Sequence, residues 1–312
     1  MPRTMDGKYV TEASKVFQMA DDHWKEGEYD EARKLYSEAA TLYRNTADVE
    51  GEAFVLCRLG ELELSLGKFD NAEKAFMAAA DLTRDFDFSQ NTYGEILTKL
   101  GNLENEREQY DKALDYFAQA KVVLEKIGNK DLLGDVFDKE AYLFLLTGQD
   151  IKALESYKKA AELYKKEGVS LKEASTLRAI ARIEMKNRDY DDAHDVLERC
   201  RLLYRENGDL LGEASALSAI GCLRYVIRDI ENSRKALMKA VYLYSKATHH
   251  YAEAESLLYL ARVEASDRDR GDFERAKAHY KRSIDLFDFL GNDTMKNFVL
   301  EEYNNFLNRF LG

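Results

Sequence analysis

Residues 29–40, YDEARKLYSEAA, carry the pattern that decides the fold of this chain. The small Ala32 follows an aromatic residue by three positions, and Tyr36 comes one helical turn later. The same order returns in FDNAEKAFMAAA at 69–80 and in YDKALDYFAQAK at 110–121. Four further copies begin at Asp150, Tyr190, Ile230 and Phe273. The first small residues of all seven copies lie 40, 41, 40, 40, 40 and 43 residues apart. So regular a period predicts an array of stacked structural repeats.

Each copy is preceded by a second helical pattern that has a small residue of its own. These upstream small residues are Ala20, Gly60, Gly101, Ala141, Ala181, Gly221 and Ala261. Six of them lie twelve residues before the small residue of the following copy, and the seventh has three extra residues in the polar stretch 266–271. Small residues let two antiparallel helices approach closely, and a large residue one turn later fills the adjoining space. Each repeat is therefore predicted to be a helical hairpin whose apolar side the next hairpin covers.

Turn residues and composition agree with this all-α prediction. Gly27, Gly67, Gly148 and Gly271 stand just before the second helix of four repeats, where a helix commonly ends in a left-handed residue. Ala, Leu, Glu and Lys, which are good helix formers, dominate the chain, and its only proline is Pro2. With 45% hydrophobic and 33% charged residues, the composition is that of a globular protein.

The small–aromatic pattern resembles the tetratricopeptide repeat (TPR), and it covers about nine tenths of the chain. The common form of that repeat is about 34 residues long. The longer unit found here is similar to the repeats of the Leu-Gly-Asn cell-polarity adaptors and rapsyn, and residues 100–102 read Leu-Gly-Asn. The resemblance implies a right-handed superhelix, an α-solenoid of seven helical hairpins plus a C-terminal capping helix. A HEAT or armadillo array has a similar period but lacks the small–aromatic signature.

The resemblance also implies that residues 1–312 form a single TPR solenoid. The expected repeats are 9–46, 47–87, 88–128, 129–168, 169–208, 209–248 and 249–291. The closing segment, 292–312, places Phe298, Tyr303 and Phe306 at helical spacing. We expect it to cap the apolar side that the last hairpin leaves open.

Charge and cysteine content narrow the class of partner and the compartment. The net charge is −12 and the isoelectric point is about 5.1, whereas phosphate backbones are bound by clustered Lys and Arg, so nucleic acid is not the expected partner. Three cysteines without close pairing are typical of a reducing compartment. Met1–Val10 lack the apolar core of a signal peptide, and the longest apolar run, 141–146, is too short to cross a bilayer. The sequence predicts a cytoplasmic protein without membrane insertion, and it leaves the oligomeric state open.

No motif for catalysis, for a cofactor or for a metal is found in the sequence. The stretch Gly60–Lys68 has two glycines and a lysine but lacks the spacing, the Ser or Thr and the preceding strand of a phosphate-binding loop. The five histidines and three cysteines lack the spacing of a zinc site. The cysteines fall at positions typical of small buried residues. We therefore expect a protein without enzymatic activity and without a cofactor.

The resemblance implies a binding face as well, because the first helix of each tetratricopeptide hairpin lines the concave groove. Positions three before, one after and four after the first small residue would then face a partner. The candidates for partner binding are Trp24, Glu61, Asn102, Asn105, Asp138, Tyr142, Arg178, Arg182, Tyr225 and Arg262. Asn102 and Asn105 can hydrogen-bond a partner's backbone, and Arg178 and Arg182, one turn apart, can form a fork for a carboxylate or phosphate. Trp24, Tyr142 and Tyr225 are aromatic anchors of the kind that dominate interfaces.

The function expected from these residues is a scaffold or adaptor that binds an extended or helical segment of a partner protein in the concave groove. Two alternatives remain open at this stage. A trafficking adaptor similar to the vesicle-fusion attachment proteins would use its convex edges and termini. A peptide-sensing regulator of the Rap type, which the long repeats also resemble, would tighten around a small peptide. In each case Arg178, Arg182 or Trp24 could instead pack within the chain.

Overall fold

A computed structural model describes residues 11–86, 89–266 and 270–311 of this chain. Within these ranges the regular structure is α-helical and no strand is present, so the all-α prediction is confirmed. Fifteen α-helices follow one another in the described residues: α1 (Glu12–Lys25), α2 (Tyr29–Asn45), α3 (Val49–Ser65), α4 (Phe69–Thr83), α5 (Gln90–Glu106), α6 (Tyr110–Ile127), α7 (Lys130–Leu146), α8 (Asp150–Glu167), α9 (Ser170–Asn187), α10 (Tyr190–Glu206), α11 (Leu210–Val226), α12 (Ile230–Lys246), α13 (His250–Ser266), α14 (Arg270–Phe289) and α15 (Asp293–Leu311).

The chain divides into two compact units, Met1–Leu163 and Tyr164–Gly312, with the boundary inside α8. In unit 1 the helices pack in hairpins, α1 with α2, α3 with α4 and α5 with α6, and each second helix also packs on the next first helix. Unit 2 repeats this order through α9 with α10, α11 with α12 and α13 with α14, and α15 then packs on α14. First helices of neighbouring hairpins also touch, α3 with α5, α5 with α7 and α11 with α13. The stacked hairpins of the predicted fold class are present in both units, whereas the single solenoid and its repeat bounds stay predictions.

The small residue of the first helix packs directly against the large residue of the second. A Cβ added to Gly60 would lie 2.6 Å from Cε1 of Phe76, and one added to Gly221 would lie 2.5 Å from Cγ of Leu237. Both distances are far below van der Waals contact, so these helices could not approach as closely with any larger residue. Phe76 and Leu237 are fully buried as a result. The sequence pattern thus marks the contact that holds each of these hairpins together.

Left-handed residues end the helices, as predicted for Gly27, Gly67 and Gly148. Several turns without glycine adopt the same conformation, since Ala47, Glu108, Arg188, Arg228 and Thr248 all have positive φ. The prediction for Gly271 was wrong: α14 begins at Arg270, so Gly271 lies in the first helical turn. Residues 267–269 of the polar insertion lie outside the described residues.

Buried glutamates form a second periodic feature, which sequence analysis missed. They occur at two positions, eight residues before and three residues after the small residue of the first helix, and each is only 1–6% exposed: Glu52, Glu63, Glu104, Glu173, Glu184, Glu213, Glu253 and Glu264. A buried carboxylate is costly unless it is paired, so cations of the second helices approach them. Glu213 accepts from Nζ of Lys239 at 2.7 Å within one hairpin. Glu264 accepts from Nε and Nη2 of Arg234, which belongs to the preceding hairpin, at 3.0 and 3.1 Å.

Replacing Arg234 with Met should lower the free energy of unfolding by about 2 kcal/mol, because the buried Glu264 would lose its bidentate partner and keep only the longer hydrogen bond from Nε of Arg275 at 3.3 Å. The change is measured by urea denaturation followed by circular dichroism. Arg201→Met is the control, since Arg201 pairs with a partly exposed Glu198 and should cost at most about 1 kcal/mol. Equal losses in the two variants would contradict a special role for the buried carboxylates.

Thr248→Gly should stabilise the protein by about 1 kcal/mol, because a β-branched residue at φ 54° is strained and glycine is not. The reciprocal change, Gly208→Thr at φ 71°, should destabilise it by a similar amount. Both positions are exposed turn residues between hairpins of unit 2, so packing changes little. Thermal unfolding midpoints check the pair, and midpoints that shift in the same direction would contradict the explanation.

Candidate functional site

Four of the residues predicted to bind a partner line one cleft in unit 1. Asn102, Asn105, Asp138 and Tyr142 surround a cavity of about 730 Å³, here called the amide cleft. The first helices α3, α5 and α7 supply its walls. Its remaining lining residues are Leu64, Ser65, Gly67, Phe69, Glu106, Phe117, Lys139 and Tyr157. Phe117 and Tyr157 are the large packing residues of the repeat pattern and are buried, so the hairpin core forms part of the floor of the cleft.

The two asparagines of the amide cleft are free to hydrogen-bond a ligand. Oδ1 of Asn105 is buried and has no hydrogen-bond partner within the described part of the chain. Asn102 is half-buried and, among the same residues, makes no side-chain hydrogen bond. A buried amide oxygen without a donor costs about 1–3 kcal/mol, so a ligand N–H placed there would be bound favourably. Tyr142, which is 48% exposed, presents an aromatic ring at the same cleft.

Trp24 and Glu61, also candidates in unit 1, already have partners within the chain. The guanidinium of Arg58 lies 4.6 Å from the centroid of the Trp24 ring, and Tyr36 packs edge-on against the same ring. Glu61 accepts from Nη1 of Arg58 at 2.5 Å and also pairs with Lys99. Trp24 therefore packs within the chain, as the alternative interpretation of this residue expects, and Glu61 is paired there as well. Their part in partner binding stays a prediction.

Arg178 and Arg182 lie together on α9 in unit 2, as their spacing predicts. They line a cavity of about 420 Å³, here called the α9 cleft, whose floor includes Ala181, Leu197 and Ala219. Both side chains are exposed. Nη1 of Arg178 donates to Oγ of Ser215 at 3.0 Å, and neither guanidinium pairs with a carboxylate among the described residues. Two unneutralised guanidinium groups above an apolar floor suit a carboxylate-bearing side chain.

Tyr225 and Arg262 line a third cavity, of about 650 Å³, here called the C-terminal cleft. Arg262 is not free, because its Nε and Nη2 donate to Oε1 and Oε2 of Glu302 on α15 at 2.8 and 2.7 Å. The hydroxyl of Tyr280 donates to Oε1 of Glu302 at 2.9 Å. Burial acts to raise the pKa of Glu302, but the hydrogen bonds from Arg262 and Tyr280 outweigh it and lower that pKa. Since Glu302 is easier to ionise in the folded state, the pair stabilises the docked α15 at neutral pH and weakens as the pH falls below the unfolded pKa of Glu302.

Several cleft residues were missed by sequence analysis. They are Glu106, Lys139 and Tyr157 in the amide cleft, and Arg228, Asn305 and Arg309 in the C-terminal cleft. Tyr157 is the large packing residue of the fourth repeat, which the pattern assigns to the core. Arg228 is a turn residue, whereas the candidates were taken only from positions on first helices. Asn305 and Arg309 belong to α15, which the repeat pattern treats only as a cap. No periodic signal in the sequence points to these α15 residues.

The three thiols are unsuited to nucleophilic chemistry. Burial raises the pKa of Cys57, Cys200 and Cys222 to about 12 in each case. The thiolate is the nucleophilic form, so a raised pKa suppresses reactivity at neutral pH. Only one group of metal-ligand type, His23 with Glu26 and Glu28, brings three ligand atoms within 4.8 Å of one another in the described residues. It is an exposed surface cluster, and we assign no metal site to it.

The reaction of the native thiols with a disulfide reagent should rise about tenfold per pH unit from pH 7 to pH 10. For thiols with the ordinary pKa of 9.0, the reaction rate would instead level off near pH 9. Absorbance of the released reagent measures the rate, and glutathione treated in parallel provides the ordinary thiol. A plateau near pH 9 in the native protein, before any unfolding, would contradict the raised pKa values.

Comparison with known proteins identifies the repeat. The model of the family described as "Tetratricopeptide repeat" matches residues 11–85 and 92–166. A search of curated protein sequences finds no match. Within the described residues, no helix is both long enough and apolar enough to cross a membrane.

Solved structures share the fold at low sequence identity. The apo form of RapI is similar over 95% of this chain and 86% of its own, with a TM-score of 0.68 and 13% identity. BtubC from P. vanneervenii is similar over 77% of this chain and 93% of its own, with a TM-score of 0.60 and 17% identity. A signal transduction ATPase with a tetratricopeptide repeat sensor, from Pyrococcus horikoshii, is similar over 95% of this chain and 47% of its own, with a TM-score of 0.63 and 16% identity. This chain thus spans about half the length of that last protein.

Proposed function

We propose that this chain, in which the tetratricopeptide repeat model matches residues 11–85 and 92–166, is a non-enzymatic scaffold that binds a segment of a partner protein on the face of its first helices. The observation that carries the proposal is the buried Oδ1 of Asn105, which has no hydrogen-bond partner among the described residues and belongs to the lining of the amide cleft. The proposed ligand of this cleft is an extended segment, since an extended backbone presents N–H groups that a helix keeps for itself.

The chemistry of the amide cleft supports recognition of a peptide backbone. A carboxamide offers both a donor and an acceptor, so Asn102 and Asn105 can each pair with one N–H and one C=O of a partner. Such pairs are independent of the partner's side chains, and the neighbouring Tyr142 adds an apolar contact surface. Backbone pairing would fix the position of the segment, and side-chain contacts would select it.

The α9 cleft is a second surface that suits a segment of a partner protein. Arg178 and Arg182 are exposed and lack a carboxylate in the described residues, whereas the floor beneath them is apolar. A Glu or Asp side chain could lie with its methylene groups on this floor and its carboxylate between the guanidinium groups. A segment bound in the α9 cleft is therefore proposed to carry at least one acidic residue.

The inert thiols support a non-enzymatic role, because they leave the chain without an activated cysteine at neutral pH. A peptide-sensing role is the second candidate, and one similar solved structure is described as a signal transduction ATPase with a tetratricopeptide repeat sensor. At 16% identity that likeness extends to the fold alone. Both candidates need a peptide bound to the first helices, so one experiment serves both.

Asn105→Leu should weaken peptide binding at least tenfold, because Leu has a similar size but cannot accept a hydrogen bond. Peptides selected from a random displayed library on the full-length protein provide the probes, and fluorescence anisotropy measures their affinity. An N-methyl group at the contacted peptide amide should reduce the affinity for the native protein by a similar factor. It should reduce the affinity for Asn105→Leu much less.

Asn45→Leu is the matched control, since Asn45 is an exposed amide at the end of α2 in the same unit, away from the amide cleft. It should leave the affinity unchanged. A library that yields no binder, or selected peptides that bind Asn105→Leu as tightly as the native protein, would overturn the assignment of the amide cleft.

A further inference from the structure

The C-terminal cleft concentrates positive charge in an acidic protein. Among the described residues that line it, Arg228, Arg262 and Arg309 stand with a single carboxylate, Glu302, which leaves two positive charges in excess. The whole chain carries a net charge of −12. A local excess of the opposite sign, within a cavity of about 650 Å³, is the electrostatic signature of a site for an anionic group.

Two of these arginines are unneutralised. Arg228 and Arg309 are exposed, and neither forms an ion pair within the described residues. Arg228 is held in the left-handed turn after α11, at φ 67°, and Arg309 lies in the last turn of α15. Arg107, by contrast, is paired with Glu104 at 2.9 Å. The two free guanidinium groups are therefore available to a ligand.

The third arginine shows which anion the cleft accommodates. Arg262 already binds a carboxylate through two hydrogen bonds, and that carboxylate belongs to the chain itself, at Glu302. The parallel pair of bonds is the geometry in which a guanidinium recognises a carboxylate. Tyr225, Ala265 and Phe306 line the same cleft and provide apolar surface for the methylene groups of an acidic side chain.

We propose that the C-terminal cleft binds an acidic segment of a partner protein, whose Asp or Glu side chains pair with Arg228 and Arg309 while Glu302 competes with them for Arg262. The inference rests on the proposed binding role but concerns a different surface from the amide cleft and the α9 cleft. A peptide is favoured over nucleic acid because the basic groups are confined to one cavity, whereas a phosphate backbone needs an extended basic surface. The closing helix is then a part of the binding site as well as a cap.

The competition by Glu302 gives the proposal a distinctive consequence. Glu302→Gln keeps an acceptor for Tyr280 but removes the charge that neutralises Arg262. Binding of an acidic ligand should therefore become tighter, by about threefold to tenfold, in this variant. A residue with only a structural role would not produce a gain.

The test uses full-length protein and a fluorescein-labelled probe, a Gly-Ser peptide that carries four glutamates, with anisotropy as the readout. The native protein should bind it and should bind the same peptide with four glutamines at least tenfold more weakly. Arg228→Glu combined with Arg309→Glu should reduce affinity for the glutamate peptide at least tenfold. Raising the salt concentration should weaken the native complex.

The control is Arg188→Glu combined with Arg205→Glu, which changes the net charge equally. Arg188 occupies the corresponding left-handed turn after α9, and Arg205 lies in the last turn of α10, and both are exposed in unit 2 outside the C-terminal cleft. This variant should stay within about twofold of the native affinity. If the Glu variant of Arg228 and Arg309 fails to fold by circular dichroism, Arg228→Gln with Arg309→Gln takes its place.

Three results would overturn the proposal: equal binding of the glutamate and glutamine peptides, equal loss in the control and cleft variants, or binding only of a peptide with phosphoserine in place of glutamate. None of them would affect the amide cleft, which Asn105→Leu tests with separately selected peptides. The two proposals can therefore fail independently.

Discussion

The contact between a small residue on one helix and a large residue on the next is the constraint on which the rest of the structure depends. At Gly60 and Gly221 the facing side chains, Phe76 and Leu237, occupy the space that a Cβ would need. Close packing of this kind fixes how near the two helices of a hairpin lie, and therefore which residues of the first helix remain uncovered. The clefts follow from that approach, since the packing residues Phe117 and Tyr157 form part of the floor of the amide cleft.

Buried carboxylates add specificity to this packing. Glutamates at two repeated positions of the first helices pair with cations of the second helices, as Glu213 does with Lys239 and Glu264 with Arg234. Because an unpaired buried charge is costly, each pair penalises any displacement of one helix along another. Apolar side chains alone would tolerate such sliding better, since hydrophobic burial is non-directional. The candidate binding residues of the first helices thus lie on helices whose positions these pairs help to fix.

The candidate clefts differ in the chemistry that they offer. The amide cleft presents carboxamides that suit a peptide backbone, whereas the α9 and C-terminal clefts present guanidinium groups that suit carboxylates. The carboxamides and most of these arginines lie on first helices, whereas Arg228 lies in the turn after α11 and Arg309 lies on α15. A fold repeated seven times in sequence therefore provides surfaces that differ from hairpin to hairpin, because the uncovered positions are free of the packing constraint.

The sequence by itself determined the helical hairpins and their forty-residue period. These follow from local rules of size and spacing, and the pattern of small and large residues records them at each repeat. The left-handed turns could be predicted only in part. Thr248 and Arg228 adopt the left-handed conformation although residues of their types rarely do so.

Tertiary structure alone decided which side chains are paired and which are free. Asn105 and Arg262 hold equivalent kinds of position in the sequence pattern, yet the first has a buried atom without a partner among the described residues and the second binds Glu302, forty residues away. The positions of Arg228 and Arg309 in one cavity depend in the same way on how α15 packs on α14. Such pairings join residues far apart in the chain, and no local period encodes them.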